Sequence, residues 1–142
     1  MNNTIFQLFV YGSLRSGFRN PAYQYLARYF RLLGDATVKG KLYDMGPYAA
    51  AVATEGDRFI HGELYEINEP LEFDWAIAQL DDYEGVNVEA GEVPLYKRET
   101  AAAYLNGEER KTWIYWFNGD TSGNPEIISG DMMQYLQQKN NP

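Results

Sequence analysis

Short runs of apolar residues, separated by glycine and other turn residues, recur along the chain and are typical of a protein with more strands than helices. Residues 5–11 are rich in Phe, Leu and Val and form a run too short for a helix. They predict a strand that ends at Gly12. The same pattern predicts five further strands, at residues 36–43, Ala49–Ala53, Phe59–Ile67, Tyr96–Leu105 and 111–117.

The first stretch with helical spacing follows a polar loop. Asn20 can cap a helix whose first position is Pro21, where the missing N–H of proline is not needed. Gly34 is expected to end this helix. Its apolar stripe consists of Tyr25, Leu26, Tyr29 and Phe30.

A second helix is predicted to begin near Pro70 and to end at Gly85, which places Glu84 at its C-terminal end. Its apolar face consists of Phe73, Ile77, Leu80 and Tyr83. A third, short helix is predicted over residues 131–138. Six or seven strands with two or three helices indicate one α+β domain over residues 1–142, in which a small sheet can close into a barrel.

The composition argues against several classes of function. The formal net charge is -8 at pH 7, whereas nucleic acids and anionic membranes attract a cationic surface, so we expect neither as a partner. The chain has no cysteine, which leaves no disulfide framework and no thiolate ligand or nucleophile. Together with an N-terminus that lacks a basic region and a long apolar run, this composition makes a cytoplasmic location the expectation.

Several common catalytic sites cannot be built from this sequence. His61 is the single histidine and lies in a predicted strand, so a His/Cys metal cluster or a Cys–His pair cannot be assembled. We expect His61 to be structural. The chain also has no Gly-x-Ser-x-Gly elbow and no glycine-rich dinucleotide or phosphate loop. We therefore expect no metal and no cofactor.

Two features with possible chemistry remain. The first is the turn Gly12-Ser13 after the first strand, where successive backbone N–H groups can converge on an anion, although such a turn is more often only a turn. The second is the acidic group Asp81, Asp82 and Glu84 at the end of the second helix. Negative charge there opposes the helix dipole. On spacing alone, all three carboxylates are more often simply solvated.

Six short blocks occur in order along almost the whole chain: residues 11–15, 40–48, 62–65, 80–85, 96–98 and 129–131. Together they resemble the signature blocks of the gamma-glutamylcyclotransferase-like superfamily, and within it the bacterial gamma-glutamylamine cyclotransferase-like group. Ala49 stands where proline is expected and Met132 where tryptophan often follows, which concerns subgroup and substrate more than fold. The resemblance implies an α+β fold with a small mixed β-sheet curled into a barrel and flanking helices.

The resemblance also implies roles for individual residues. Glu84 corresponds to the general acid/base of the family. Tyr115 lies where the family often has a substrate-contacting tyrosine, although a packed strand aromatic fits that position equally well. Arg98 is expected either to orient acidic groups near the site or to form an ordinary ion pair. The loop that would hold the gamma-glutamyl end of the substrate through backbone amides consists of Tyr11, Gly12, Ser13 and Leu14.

The implied reaction suits a chain without a thiol nucleophile. The α-amino nitrogen of the substrate attacks its own gamma-carbonyl, closes a 5-oxoproline ring and releases an amine, while one carboxylate moves the protons. Such a carboxylate works best when burial raises its pKa toward neutrality. We therefore expect Glu84 to point inward beside the Tyr11 loop, and Asp81 and Asp82 to stay solvated.

Two other classes of function fit the same residues. One is a non-catalytic module that binds small amines or peptides, since a fold does not determine an activity. The other is a structural or interaction protein without a small-molecule pocket. The sequence also leaves the leaving amine open among gamma-glutamyl amino acids, gamma-glutamyl-lysine-type amines, glutathione and related intermediates, with acidic loops slightly favouring a cationic one. It does not predict the oligomeric state.

Overall fold

Six strands and three α-helices form the part of the chain that the computed structural model describes, which is residues 5–12, 21–46, 48–86 and 91–140. In chain order they are β1 (Gln7–Val10), α1 (Pro21–Tyr29), β2 (Phe30–Asp44), β3 (Ala49–Ala53), β4 (Phe59–Ile67), α2 (Phe73–Tyr83), β5 (Tyr96–Leu105), β6 (Glu108–Phe117) and α3 (Met132–Asn140). None of the helices within these ranges is long and apolar enough to cross a membrane.

Five of the strands close into a ring. Their order is β2-β4-β1-β6-β5, and β5 returns to β2 through the pairs Thr37↔Tyr104 and Val38↔Ala103. β3 lies outside the ring as an antiparallel neighbour of β2. The β1–β6 pair is parallel and the other pairs are antiparallel. The expected α+β fold with a small mixed sheet curled into a barrel and flanking helices is therefore confirmed.

One apolar cluster fills the inside of this barrel. All five barrel strands contribute to it, as expected for side chains that point inward from every second position. α3 packs onto the cluster through Met132, with Tyr135 and Leu136 at its margin. Its strand members include Phe9, Ala36, Val38, Leu42, Ile60, Leu64, Ala103, Leu105, Ile114 and Trp116.

A second cluster lies between the outer face of the barrel and two helices. It joins the alternate positions of β1, β4 and β6 to the apolar faces of α1 and α2, and its members include Leu8, Val10, Leu26, Tyr65, Ile67, Phe73, Ile77, Leu80 and Tyr115. α2 is thereby packed against β6, the strand that carries Tyr115. This packing determines where the C-terminal end of α2 lies.

The predicted strands Ala49–Ala53, Phe59–Ile67 and Tyr96–Leu105 coincide with β3, β4 and β5. The expectation that Gly34 ends the first helix is wrong: the helix ends at Tyr29, and Gly34 lies inside β2 beside a shift in its register with β4. Residues 30–32 pair with β4, and this long-range pairing replaces the local helical pattern. Tyr83 is exposed rather than part of the apolar face of α2.

A glycine allows β4 to pass close to β1 near the Tyr11 end. A Cβ built on Gly62 would lie 2.2 Å from the carbonyl oxygen of Val10 and 2.7 Å from the Phe9 ring. Both are far inside van der Waals contact, and the first neighbour is backbone that cannot swing away. Any larger residue at position 62 must therefore push the two strands apart.

We expect Gly62→Ala to lower the free energy of unfolding by roughly 1–3 kcal/mol, since overpacking strains the β1–β4 pair. Gly56→Ala is the matched control, because among the described residues a Cβ there would meet only Thr54 Oγ1, at an ordinary 3.6 Å. Urea unfolding of both variants measures the effect. Equal midpoints for the two variants would show that the close approach at Gly62 is not a constraint.

Candidate active site

Glu84 follows the last turn of α2 and is held by the way that helix ends. Its backbone N–H donates to the Leu80 carbonyl at 2.9 Å. Gly85 has a φ of +73°, and the N–H of Gly85 and Val86 reach back to the carbonyls of Asp82 and Asp81. This is the hydrogen-bond pattern of a Schellman cap, which glycine favours because it has no Cβ. The backbone around Glu84 is therefore well defined.

The Glu84 side chain is partly buried. Loss of solvation raises the pKa of its carboxyl from an ordinary 4.5 to about 7. Three buried phenols, Tyr11, Tyr96 and Tyr115, have raised pKa values. Burial is the largest cause, and the negative charge of Glu84 is a further cause for each of them. Glu84 thus lies within electrostatic reach of phenols at the end of β1 and on β5 and β6, and its pKa is suited to both taking and returning a proton near neutral pH.

The three phenols hold this region together by hydrogen bonds to the protein. The Tyr11 hydroxyl donates to the Tyr115 backbone carbonyl. The Tyr96 hydroxyl donates to the Ala49 carbonyl at 2.6 Å, and the Tyr115 hydroxyl donates to Asp81 Oδ1 at 2.9 Å. Because the pKa of each phenol is raised, all three remain protonated donors. Their protons are already committed to protein acceptors.

Asp81 corrects one expectation from the sequence. It was expected to be solvated, but its side chain is buried and its Oδ1 accepts from Arg98 Nε at 2.8 Å as well as from Tyr115. A buried carboxylate needs such partners. Asp82 is exposed, as expected. A sequence signal existed, because Ile77, Asp81 and Glu84 are spaced i, i+4 and i+7 on one helical face.

An aromatic group adjoins Glu84 through Tyr96. The Tyr96 ring lies 6.3 Å from that of Tyr48 and 5.8 Å from that of Phe117, both nearly perpendicular to it, and Tyr48 and Phe117 are 6.0 Å apart. Tyr48 and Phe117 are partly exposed. Sequence reasoning did not single out Tyr48 or Phe117 as site residues. They give one side of the candidate site an apolar surface.

The predicted binding loop is described only at its beginning. Tyr11 is buried and joined to Tyr115, as stated above. A Cβ built on Gly12 would meet no atom of the described residues within 4 Å. Ser13 and Leu14 lie outside the described residues. Tyr115 is buried, with its hydroxyl on Asp81, and its contact with substrate stays a prediction.

Neither the histidine nor the acids form a metal centre within the described ranges. No group of three or more His, Asp or Glu side chains there could hold an ion. His61 is exposed on β4, and its backbone N–H donates to the Gly130 carbonyl at 2.8 Å. With Asp35, Thr37 and Asp131 it lines a shallow surface hollow.

The chain matches a family of known proteins along most of its length. The family model described as gamma-glutamyl cyclotransferase, AIG2-like, matches residues 8–134. A comparison with curated proteins finds no match.

Solved structures of the same fold cover nearly all of the chain. YkqA from Bacillus subtilis is 25% identical with a TM-score of 0.68; the match covers 98% of this chain, which spans only 44% of that protein. The protein ytfP from Escherichia coli is 28% identical with a TM-score of 0.61, over 92% of this chain and 98% of that one. An AIG2-like protein from Mus musculus, 19% identical with a TM-score of 0.65 over 91% and 90% of the two chains, shares the fold.

The raised pKa of Glu84 predicts a specific effect of pH on stability. Between pH 4.5 and about 7 the folded protein binds the Glu84 proton more tightly than the unfolded chain does. Ionisation of Glu84 therefore destabilises the fold as pH rises through this window, by up to about 3 kcal/mol. Glu84→Gln lacks this loss, so its free energy of unfolding relative to wild type should increase between pH 4 and pH 8.

Urea unfolding at several pH values measures this difference. Glu72→Gln is the control, since Glu72 is an exposed glutamate at the other end of the same helix. Its difference from wild type should stay nearly constant where that of Glu84→Gln increases. A Glu84→Gln difference that is equally constant would mean that Glu84 titrates as an ordinary surface carboxyl.

Proposed function

Since the chain belongs to the AIG2-like gamma-glutamyl cyclotransferase family, we propose that it converts a gamma-glutamyl amine or gamma-glutamyl amino acid to 5-oxoproline and the free amine. Glu84 is the general acid/base of this proposal. The observation that supports it is that Glu84 is partly buried, has a pKa raised to about 7 by desolvation, and acts through its charge on the Tyr11 phenol. An ordinary surface glutamate would be too weak a base for this task.

The reaction balances with one proton carrier. The substrate α-ammonium loses two protons in becoming the ring N–H, while a bond forms from its nitrogen to the gamma-carbonyl carbon. The bond from that carbon to the amide nitrogen breaks, and the leaving amine gains two protons. Glu84 accepts protons from the attacking nitrogen and delivers them to the leaving nitrogen, so its protonation state is the same before and after turnover.

The gamma-carbonyl oxygen needs hydrogen-bond donors as it gains negative charge in the tetrahedral intermediate. Tyr11, Tyr96 and Tyr115 donate their hydroxyl protons to protein acceptors, so this part of the proposal does not use them. We assign the task instead to the backbone amides of the loop Tyr11, Gly12, Ser13 and Leu14. Among the described residues no atom lies within 4 Å of a Cβ built on Gly12, which is compatible with a ligand approaching the backbone there.

The group attached to the gamma-amide nitrogen is proposed to lie against Tyr48 and Phe117. These partly exposed rings contact Tyr96, whose phenol senses the Glu84 charge. Aromatic faces accept both apolar groups and cations. Gamma-glutamyl amines with aliphatic, aromatic or cationic leaving groups are therefore the first compounds to test.

The proposal is tested with a panel of gamma-glutamyl compounds that includes gamma-glutamyl amino acids, gamma-glutamyl-ε-lysine and glutathione. Mass spectrometry follows 5-oxoproline and the released amine. With any accepted substrate, Glu84→Gln should lower kcat at least about 100-fold, since an amide cannot carry the proton. Glu72→Gln controls for the substitution itself and should retain wild-type turnover.

Two outcomes would contradict the proposal. Turnover by Glu84→Gln near the wild-type rate would remove Glu84 from the mechanism. Binding of panel members in calorimetry without 5-oxoproline from any of them would favour a binding module on the same scaffold.

The pH dependence of kcat/KM gives an independent check. Glu84 must be ionised to accept the first proton, so kcat/KM should rise with pH and level off above about pH 7. A rise centred near pH 4.5 would mean that the ionising base is an ordinary exposed carboxylate.

A further inference from the structure

Asp81 is a buried carboxylate that the proposed proton transfer does not use. Its side chain is 7% exposed, and one oxygen accepts hydrogen bonds from Arg98 Nε at 2.8 Å and from the Tyr115 hydroxyl at 2.9 Å. Arg98 belongs to β5 and Tyr115 to β6. A single carboxylate therefore ties the last turn of α2 to two neighbouring strands of the barrel.

The arginine in this network is itself held in place. Its guanidinium carbon lies 4.4 Å from the centre of the Trp113 ring, within the range of a cation–π contact. The Trp113 indole N–H donates to the Ile5 carbonyl at 3.0 Å. The Trp113 ring thus restricts the motion of the Arg98 side chain. The ion pair between Arg98 and Asp81 therefore differs from a contact between two mobile side chains on the surface.

The network lies next to Glu84 along the helix and in space. Asp81 precedes Glu84 by three residues, and this spacing places both on one helical face. The Asp81 backbone carbonyl accepts the N–H of Val86, on the other side of Glu84. Asp81 therefore holds the backbone around Glu84 in two ways. Its side chain contacts the barrel, and its carbonyl oxygen accepts a hydrogen bond of the C-terminal cap.

The network also has an electrostatic consequence for Glu84. Asp81 contacts both Arg98 and the Tyr115 hydroxyl, and the charge of Glu84 also acts on the Tyr115 phenol, so Glu84 lies within electrostatic reach of this network. A guanidinium near a carboxylate favours the ionised form of that carboxylate. Asp81 neutralises Arg98 locally, and within the described residues no cation offsets the desolvation that raises the pKa of Glu84.

We propose that Asp81 is a positioning residue, which together with Arg98 and Tyr115 fixes the end of α2 so that Glu84 faces the loop that begins at Tyr11. By pairing with Arg98, Asp81 also neutralises the positive charge that would otherwise act on Glu84. This inference rests on the proposed function for its effect on turnover. Its electrostatic part concerns Glu84 alone and can be measured without any substrate.

Asp81→Asn removes the ion pair while nearly preserving shape. We expect kcat to fall at least about tenfold with a smaller change in KM, since a displaced acid/base affects the transition state most. The freed Arg98 charge should also move the rise of kcat/KM to lower pH by about one unit. Asp82→Asn is the matched control, with the same change one residue away on an exposed side chain, and should leave both quantities near wild type.

A double variant separates position from charge. In Asp81→Asn/Arg98→Gln neither charge remains, so the pH profile should return toward wild type while kcat stays low.

If Asp81→Asn does not fold, as judged by circular dichroism, Arg98→Lys replaces it. That variant keeps the charge but loses the planar group on Trp113, so kcat should fall and the pH profile should stay in place. An unchanged kcat in Arg98→Lys would contradict the proposal.

NMR titration of the Glu84 carboxyl carbon, assigned by its absence in Glu84→Gln, provides the substrate-free measurement. A lower Glu84 pKa in Asp81→Asn, but not in Asp82→Asn, supports the electrostatic role even if no panel compound is turned over. An unchanged Glu84 pKa together with wild-type kcat in Asp81→Asn overturns the inference. Equal shifts in both variants also overturn it, because they would reflect general charge rather than this network.

Discussion

The pairing of β2 with β5 is the constraint on which the other contacts depend, because it closes the sheet into a ring. A ring of only five strands has a narrow interior, which is filled by a few large side chains such as Phe9 and Trp116 set among alanines such as Ala36 and Ala103. The alternate positions must then point outward. On β1, β4 and β6 they form the surface that α1 and α2 cover, and this packing fixes where α2 ends.

The C-terminal end of α2 carries acidic side chains where the helix dipole disfavours negative charge. Two carboxylates with the same charge lie three residues apart at the helix terminus where the dipole is least favourable to them. Asp81 is stabilised there by an arginine and a phenol, whereas desolvation makes Glu84 easier to protonate. Asp81 therefore serves as an anchor through its hydrogen bonds, while Glu84 three residues later is suited to carrying a proton.

Local patterns predicted most of the strands, because short apolar runs bounded by turn residues are typical of buried strands. They failed where a distant partner decides the outcome. The run after Tyr29 has helical spacing but pairs with β4. The sequence around Asp81 in α2 is that of a surface acid, and only the fold shows that Arg98 of β5 lies beside it. The position of Glu84 at a helix end was predictable from Gly85, but its surroundings were not.

The link between Tyr11 and Tyr115 spans 104 positions, and the bond from Trp113 to Ile5 spans 108. Contacts between such distant parts require the chain to lose the entropy of closing a very long loop. During synthesis, Glu84 and its helix leave the ribosome well before β6 does. A nascent chain therefore carries its proposed acid/base before it has the strand that completes the surroundings of that residue, so the site matures only after β6 has been made.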